Sequence, residues 1–220
     1  MSTVKEEKIG HRQRQAQATR ELVARAARAL FAERGYVATT IQAISAAADI
    51  PAQTIYSAFG TKAKILEAIR REWIAQSRVQ ELHDEAVEQS DPVRRIRMMA
   101  MMHRQQMETG YDVIAIYSEA ARVDADMNTE WRAVLADRER AIGKLIDSFA
   151  GQLRSGIDRQ RAIDIYIACT HNEVYASLVL EHLWGLDDFE NWTGDLLVTQ
   201  LLPGPADRKR GNDEDRVDQG

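Results

Sequence analysis

An all-α fold is the prediction for this 220-residue chain. Apolar residues recur at three- and four-residue spacing through most of the sequence, the stripe that one buried helix face requires. No alternating run reads as a half-buried strand. Capping residues stand where the periodicity restarts, as at Ser90-Asp91-Pro92, where a cap precedes a proline in the first helical turn.

The elements follow in order. Residues 1–15 are polar and are expected to form a flexible basic arm carrying Lys5, Lys8, His11, Arg12 and Arg14. A first helix is predicted over 16–34, with Leu22-Val23, Ala26-Ala27 and Leu30-Phe31 repeating every four residues and Glu33-Arg34-Gly35-Tyr36 closing it. Two short helices follow, near 40–48 and 52–59. Gly60 ends the second, Thr61 caps the next, and Ile65, Leu66, Ile69 and Trp73 carry that one into the 80s.

After Pro92, one face carries Ile96, Met99, Ala100, His103 and Met107. Thr109-Gly110 is read as a break before a short helix with Val113, Ile114, Ile116 and Tyr117, and Asp124–Thr129 as a loop. A long helix then keeps Trp131, Leu135, Arg138, Ile142, Leu145, Phe149 and Leu153 in register until Ser155-Gly156 interrupts it. Helices over 159–183 and 187–202 complete a set of about nine. The tail, 203–220, is too polar to bury a core and is expected to be disordered.

Charge is unevenly spread. The chain carries a net −5, yet residues 1–72 hold 12 Lys/Arg against 7 Asp/Glu, whereas residues 73–220 hold 17 against 27. A basic head on an acidic body suits a nucleic-acid binder with a separate second domain.

The stretch Thr39–Phe59 fits that division. Its two helical runs flank a break at Asp49-Ile50-Pro51, the layout of a helix-turn-helix, which presents its second helix to the DNA major groove. Ile41, Ile44 and Ala48 form the buried face of the first run, and Ile55 and Phe59 that of the second. Gln53, Thr54, Tyr56 and Ser57 are left on other faces, a hydroxyl-rich surface suited to phosphates and base edges. Packing between the motif helices is the alternative role for Thr54 and Tyr56.

These residues and their flanks carry a family resemblance. Ala26-Ala27, Leu30-Phe31, Gly35-Tyr36, Thr39-Thr40, Ile44, Thr54-x-Tyr56-x-x-Phe59 and Lys62-x-x-x-Leu66 resemble the DNA-binding domain of TetR/AcrR-type transcriptional regulators. The resemblance implies a helix-turn-helix domain over 16–61 and a helical ligand-binding and dimerisation domain over 62–202. It further implies a homodimer on a palindromic double-stranded DNA operator, acting as a repressor released by a small-molecule inducer, with no cofactor. Residue by residue, Thr40 caps the first motif helix and meets phosphate. Gln42 faces a base or phosphate, Gln53, Thr54, Tyr56 and Ser57 read the groove, and Lys62 adds charge to the backbone grip. Arg12, Arg14 and Arg20 are cations of the kind such proteins place in a minor groove.

Three positions depart from the family pattern. Asp49 stands where the turn usually has glycine, and Pro51 where the recognition helix usually starts on serine. Ala43 replaces the acidic partner of a capping box.

The likeness beyond the head is looser. Glu173-Val174-Tyr175-x-x-Leu178, Leu183-Trp184-Gly185, Phe189, Trp192, Leu196 and Leu201-Leu202 resemble the last two helices of such regulators. Val174, Leu178, Phe189, Trp192 and Leu196 are the expected dimer face; the alternative is an ordinary monomer core. For a ligand pocket the candidates are polar groups on apolar stripes, His103, Arg138 and His171, with Tyr117, Trp131 and Tyr166 as aromatic walls. A buried Arg138 needs either a protein carboxylate or an anionic ligand group. Met98, Met99, Met101, Met102 and Met107 suit an apolar or aromatic inducer, or simply fill a core.

Other function classes find little support. There is no HExxH, P-loop or GxGxxG pattern and no second cysteine, so neither an enzyme nor a metal site is expected. One cysteine, Cys169, excludes an internal disulfide and suits the cytoplasm. No apolar run reaches the ~18 residues of a membrane span, and the polar N-terminus is not a signal peptide, so no membrane partner is expected.

Overall fold

The computed structural model describes residues 3–204, with side chains from Gln13 onward. The expectations for the tail beyond 204, and those for the side chains of Lys5, Lys8, His11 and Arg12, lie outside the described residues. Within them the chain is helical without a strand, and nine α-helices have eight residues or more.

The helices sort into two compact units. The first runs to Gln76 and also takes Asp112–Arg132, so it does not end at the expected 61/62 boundary. It contains α1 (Thr3–Arg34), α2 (Ile41–Ala48), α3 (Ala52–Phe59) and α4 (Lys62–Gln76), plus the second part of α6 (Pro92–Val123) and the start of α7 (Ala125–Asp147). α1 begins at Thr3 rather than near residue 16, because Lys, Glu, Arg and Gln dominate its first turns and are good helix formers.

Val23, Ala27 and Phe31 of α1 meet Ile44 of α2, Ile55 of α3, and Ile65, Leu66 and Ile69 of α4, all at most 3% exposed. Val113, Ile116, Tyr117 and Met127 close the same cluster. Fully burying each large aliphatic side chain contributes about 1.5–3 kcal/mol, which is what fixes helices as short as α2 and α3.

The second unit holds Ser77–Tyr111 and the chain from Ala133 on. It comprises α5 (Val79–Glu88), the first part of α6, most of α7, α8 (Arg159–Cys169), α9 (Asn172–Tyr175) and α10 (Leu186–Leu201). Its core joins Ile96, Met99 and Met102 of α6 to Ile142, Leu145 and Ile146 of α7, Ile163 and Tyr166 of α8, and Leu197 and Leu201 of α10.

Several expected boundaries move, each for a local reason. The helix after Thr61 does not run on into the 80s; it stops at Gln76, and Arg78 turns left-handed (φ 50°) before α5. Gly110 does not break α6 but kinks it (φ −149°, ψ 15°). Asp124–Thr129 is not a loop: Asp124 Oδ1 accepts from Asp126 N and Met127 N, both at 3.0 Å, and so starts α7. α7 ends at Asp147, short of Leu153, and a 3-10 turn over Ala150–Gln152 follows. Leu135, expected on its buried face, is exposed.

The helix predicted over 159–183 divides. Thr170 Oγ1 donates back to Tyr166 O at 2.7 Å, His171 Nδ1 accepts from Glu173 N at 3.4 Å to cap α9, and α9 widens into a π turn over Ala176–Glu181.

Candidate functional site

In the first unit, local chemistry fixes where α3 points. Gly35 ends α1 in the left-handed region (φ 80°), its N–H donating to Phe31 O at 2.9 Å. Thr39, 1% exposed, donates Oγ1 to Gly35 O at 2.8 Å and ties the loop to the end of α1. Thr40 Oγ1 accepts from Ala43 N at 3.1 Å, the expected cap of α2.

The turn holds despite its departures. Asp49 adopts φ 54°, ψ 40°, a left-handed conformation that Asp tolerates better than most residues. Ser45 secures it on both sides: its carbonyl accepts from Ile50 N at 3.2 Å, and its Oγ donates to Ile50 O at 2.7 Å. Pro51 precedes α3 with φ −55° and no side-chain cap, supplying a preset backbone angle in place of a hydrogen bond. Gly60 closes α3 (φ 79°), and Thr61 Oγ1 caps α4 by accepting from Lys64 N at 3.2 Å.

On this frame Ile55 points inward at 1% exposure, while Gln53, Thr54, Tyr56 and Ser57 are all exposed, Tyr56 by 45%. Ser57 Oγ donates to Gln53 O at 2.8 Å, so its hydroxyl is partly engaged within α3. Gln42 is exposed on α2, as is Thr40 at its cap. Thr54 and Tyr56 therefore do not serve packing between the motif helices.

Lys62 behaves differently from its expected role. Its Nζ donates to Tyr36 O at 2.6 Å and Thr39 O at 3.0 Å and lies 4.1 Å from the Tyr36 ring centroid. Burial lowers its pKa despite Asp124 and Glu119 nearby. The ammonium is thus turned inward, where it holds the α1–α2 loop against α4.

Arg20, grouped with the arm, is likewise committed. It donates Nη2 to Ala58 O at 2.8 Å and lies over Phe59, placing a cation on the C-terminal carbonyls of α3. Arg14 is exposed. Two positioning contacts were missed in the sequence because they join distant segments. Arg28 pairs with Asp112 through two 2.7 Å bonds, and Glu119 accepts from Tyr36 N at 3.1 Å and Val37 N at 3.5 Å.

The six pocket candidates do not come together. Tyr117 and Trp131 belong to the first unit, where Tyr117 is fully buried, donates its hydroxyl to Glu130 Oε1 at 2.9 Å, and packs 5.8 Å from Trp131. Burial, reinforced by Glu130, pushes that phenol well above its ordinary pKa. Tyr117 is a satisfied core residue.

His171 is exposed and serves as the cap of α9. His103, Arg138 and Tyr166 remain, all in the second unit. His103 is 4% exposed and packs 5.8 Å from the Phe189 ring. Burial, reinforced by the Arg138 charge, lowers its pKa to about 3, so the imidazole is neutral. Arg138 donates Nη2 to Thr170 O at 2.8 Å and to Thr170 Oγ1 at 2.7 Å.

The expected dimer residues also divide. Phe189 is fully buried, edge-on to Tyr175 at 5.3 Å, and so builds the protomer's own core rather than a face. Val174, Leu178, Trp192 and Leu196 are partly exposed. Beside them Leu180, Leu183 and Trp184 are exposed by 49%, 82% and 37%, and Trp184 meets Trp192 edge-on at 6.1 Å.

A helix-turn-helix with a polar α3 on a helical head defines a DNA-binding regulator class. Residues 23–69 match the family model described as bacterial regulatory proteins, tetR family. The resemblance read in the sequence is to that family, and the fold is that of its transcriptional regulators.

Solved structures agree. The chain is 25% identical to SmeT, the repressor of the Stenotrophomonas maltophilia multidrug efflux pump SmeDEF, with TM-score 0.65, covering 85% of this chain and 92% of that one. SmeT in complex with triclosan gives 24% identity and TM-score 0.68 over 84% and 92%. FadR from Bacillus subtilis in complex with stearoyl-CoA gives 18% and 0.67 over 81% and 97%. No curated protein sequence matches. Among the described residues no helix is long and apolar enough to cross a membrane.

Proposed function

We propose that the protein is a ligand-released transcriptional repressor that binds a palindromic operator as a homodimer. The observation that carries this reading is α3. Gln53, Thr54 and Tyr56 stand exposed on a helix whose Ile55 is buried, while Lys62, Arg20 and Ser45 spend their polar groups on positioning it. Gln53 pairs with an adenine edge, Thr54 contacts a thymine methyl, and Tyr56, Ser57, Thr40 and Gln42 grip phosphate. Lys62 acts through the loop it holds.

Two such heads separated by one helical turn of DNA need a two-fold dimer. The apolar patch of Leu178, Leu180, Leu183, Trp184, Trp192 and Leu196 supports that assembly, since a surface of this kind is rarely left to water. Inducer release is supported by the triclosan and stearoyl-CoA complexes of the similar structures SmeT and FadR.

The test is fluorescence anisotropy on DNA from immediately upstream of the gene, titrated across salt, with stoichiometry from sedimentation. Thr54→Ala and Tyr56→Ala should each weaken binding at least tenfold, about 1.4 kcal/mol, without moving the melting temperature. Wild-type affinity in both variants would overturn the reading of α3.

A further inference from the structure

Within the second unit, four polar side chains gather among apolar ones without satisfying each other. His103, 4% exposed, leaves its Nε2 with no hydrogen-bond partner, and Thr193, fully buried, leaves its Oγ1 likewise. Thr193 follows Phe189 by one turn on α10, and Phe189 is the ring against which His103 packs. Tyr166, 3% exposed, has a hydroxyl with no partner among the described residues. Arg138 has no carboxylate partner among the described residues; its hydrogen bonds go to Thr170 alone. Its charge acts on both His103 and Tyr166, which places the three groups within one electrostatic neighbourhood.

Arg95, in the same unit, is the contrast. It is also buried and also lacks a carboxylate among the described residues, yet it donates to Ser148 O at 2.6 Å, Ser148 Oγ at 2.9 Å and the Gln89 carbonyl. Ser148 directly follows α7, so Arg95 caps a helix end where the macrodipole is negative. Arg138 has no such end to cap: it lies in the middle of α7 and meets the α8–α9 junction through one nitrogen.

A guanidinium withdrawn from water with no counter-charge costs several kcal/mol. The groups around it are donors: Arg138 N–H, Tyr166 O–H, and the Nε2–H tautomer of His103. A carboxylate accepts several hydrogen bonds at once and supplies the missing negative charge. Met99, Met102 and Met107 are buried along the same stripe of α6 as His103, and their unbranched side chains can yield volume to an apolar tail.

We infer that the effector is an amphipathic carboxylate, its acid group on Arg138, Tyr166 and His103 and its apolar body among the α6 methionines. This rests on the proposed reading of the chain as a ligand-responsive regulator and names the ligand class for it. It replaces the apolar or aromatic inducer expected from the methionines alone with one that carries a charge.

The experiment is thermal melting of the full chain with matched probes: benzoate against benzamide, and decanoate against decanol. At least one carboxylate should raise the wild-type melting temperature by about 5–10 °C near saturation, with its neutral partner moving it by less than about 1 °C. Arg138→Met should melt at or above the wild type without probe, because it removes an uncompensated charge, and should not respond to the carboxylate. Arg138→Lys, which keeps the charge but not the planar fork, should bind the carboxylate at least fivefold more weakly.

The inference is overturned if carboxylates do no better than their neutral partners, including if neither acts. It is also overturned if Arg138→Met melts well below the wild type, or if Arg138→Lys binds as tightly. Operator binding measured on the same wild-type sample separates the two levels. Its loss sinks the regulator reading, whereas intact operator binding with no carboxylate preference sinks only the ligand class.

Discussion

Gly35→Ala should destabilise the protein far more than adding one exposed methyl suggests, and Glu119 is the reason. Gly35 sits at φ 80°, where an L side chain costs about 1–2 kcal/mol. A Cβ built there would lie 2.8 Å from Glu119 Oε1 and 3.2 Å from Oε2, so the carboxylate must move. That carboxylate accepts from Tyr36 N at 3.1 Å and more weakly from Val37 N at 3.5 Å. Losing a charge-assisted bond of the shorter kind costs about 1–2 kcal/mol.

The two contributions together give about 2–4 kcal/mol, or roughly 4–16 °C in melting temperature for a chain of this length. Urea and thermal unfolding should be read for the wild type, Gly35→Ala, Glu119→Ala and the double variant. In the Glu119→Ala background the cost of Gly35→Ala should fall to the backbone part, leaving a coupling of about 1–2 kcal/mol. Equal costs in both backgrounds, or no loss on Gly35→Ala, would refute the argument.

Two further outcomes are expected. Lys62→Met should lose about 1.5–3 kcal/mol by urea unfolding, because the Tyr36 and Thr39 carbonyls and the Tyr36 ring lose their cation; a variant of wild-type stability that lost only DNA binding would return the side chain to the phosphate backbone. His103 titrates near 6.5 unfolded and about 3 folded, so the unfolded chain takes up the proton first. Its contribution is complete above pH 6.5 and is lost as pH falls towards 3, reaching about 2 kcal/mol at pH 5. His103→Gln should therefore show a shallower decline in melting temperature from pH 7 to pH 5 than the wild type, and parallel declines would contradict the burial argument.

The head was legible because its determinants are local. Ile41, Ile44 and Ile55 are periodic, Thr40 and Thr61 are caps, Gly35 and Gly60 are stops, and each works within four residues of chain. Even the left-handed Asp49 could be anticipated from its side chain. The Arg28–Asp112 and Glu119–Tyr36 contacts could not, since they span more than eighty residues and only the fold sets them together.

Further along, misreadings came from weighing composition over capping. Asp124-Ala125-Asp126 is a cap with an acid in the first turn, yet its polarity suggested a loop. Gly110 lies inside a helix whose flanking turns are well packed, so one poor helix former only bends it. The left-handed Arg78 carries no sequence signal at all. Among the pocket candidates, spacing found the stripes but not which stripes share a unit. Tyr117 and His103 lie on the same α6 pattern, but the kink at Gly110 falls between them.

The division of the predicted 159–183 helix at Thr170 has a practical consequence. Cys169, the chain's only cysteine, is the last residue of α8, one position before the threonine that receives Arg138. It is half-buried, and burial raises its pKa, so little of it is thiolate at neutral pH. Its alkylation rate is therefore a clock for how often this junction opens. No engineered label is needed to read it, and anything that tightens Arg138 on Thr170 should slow it.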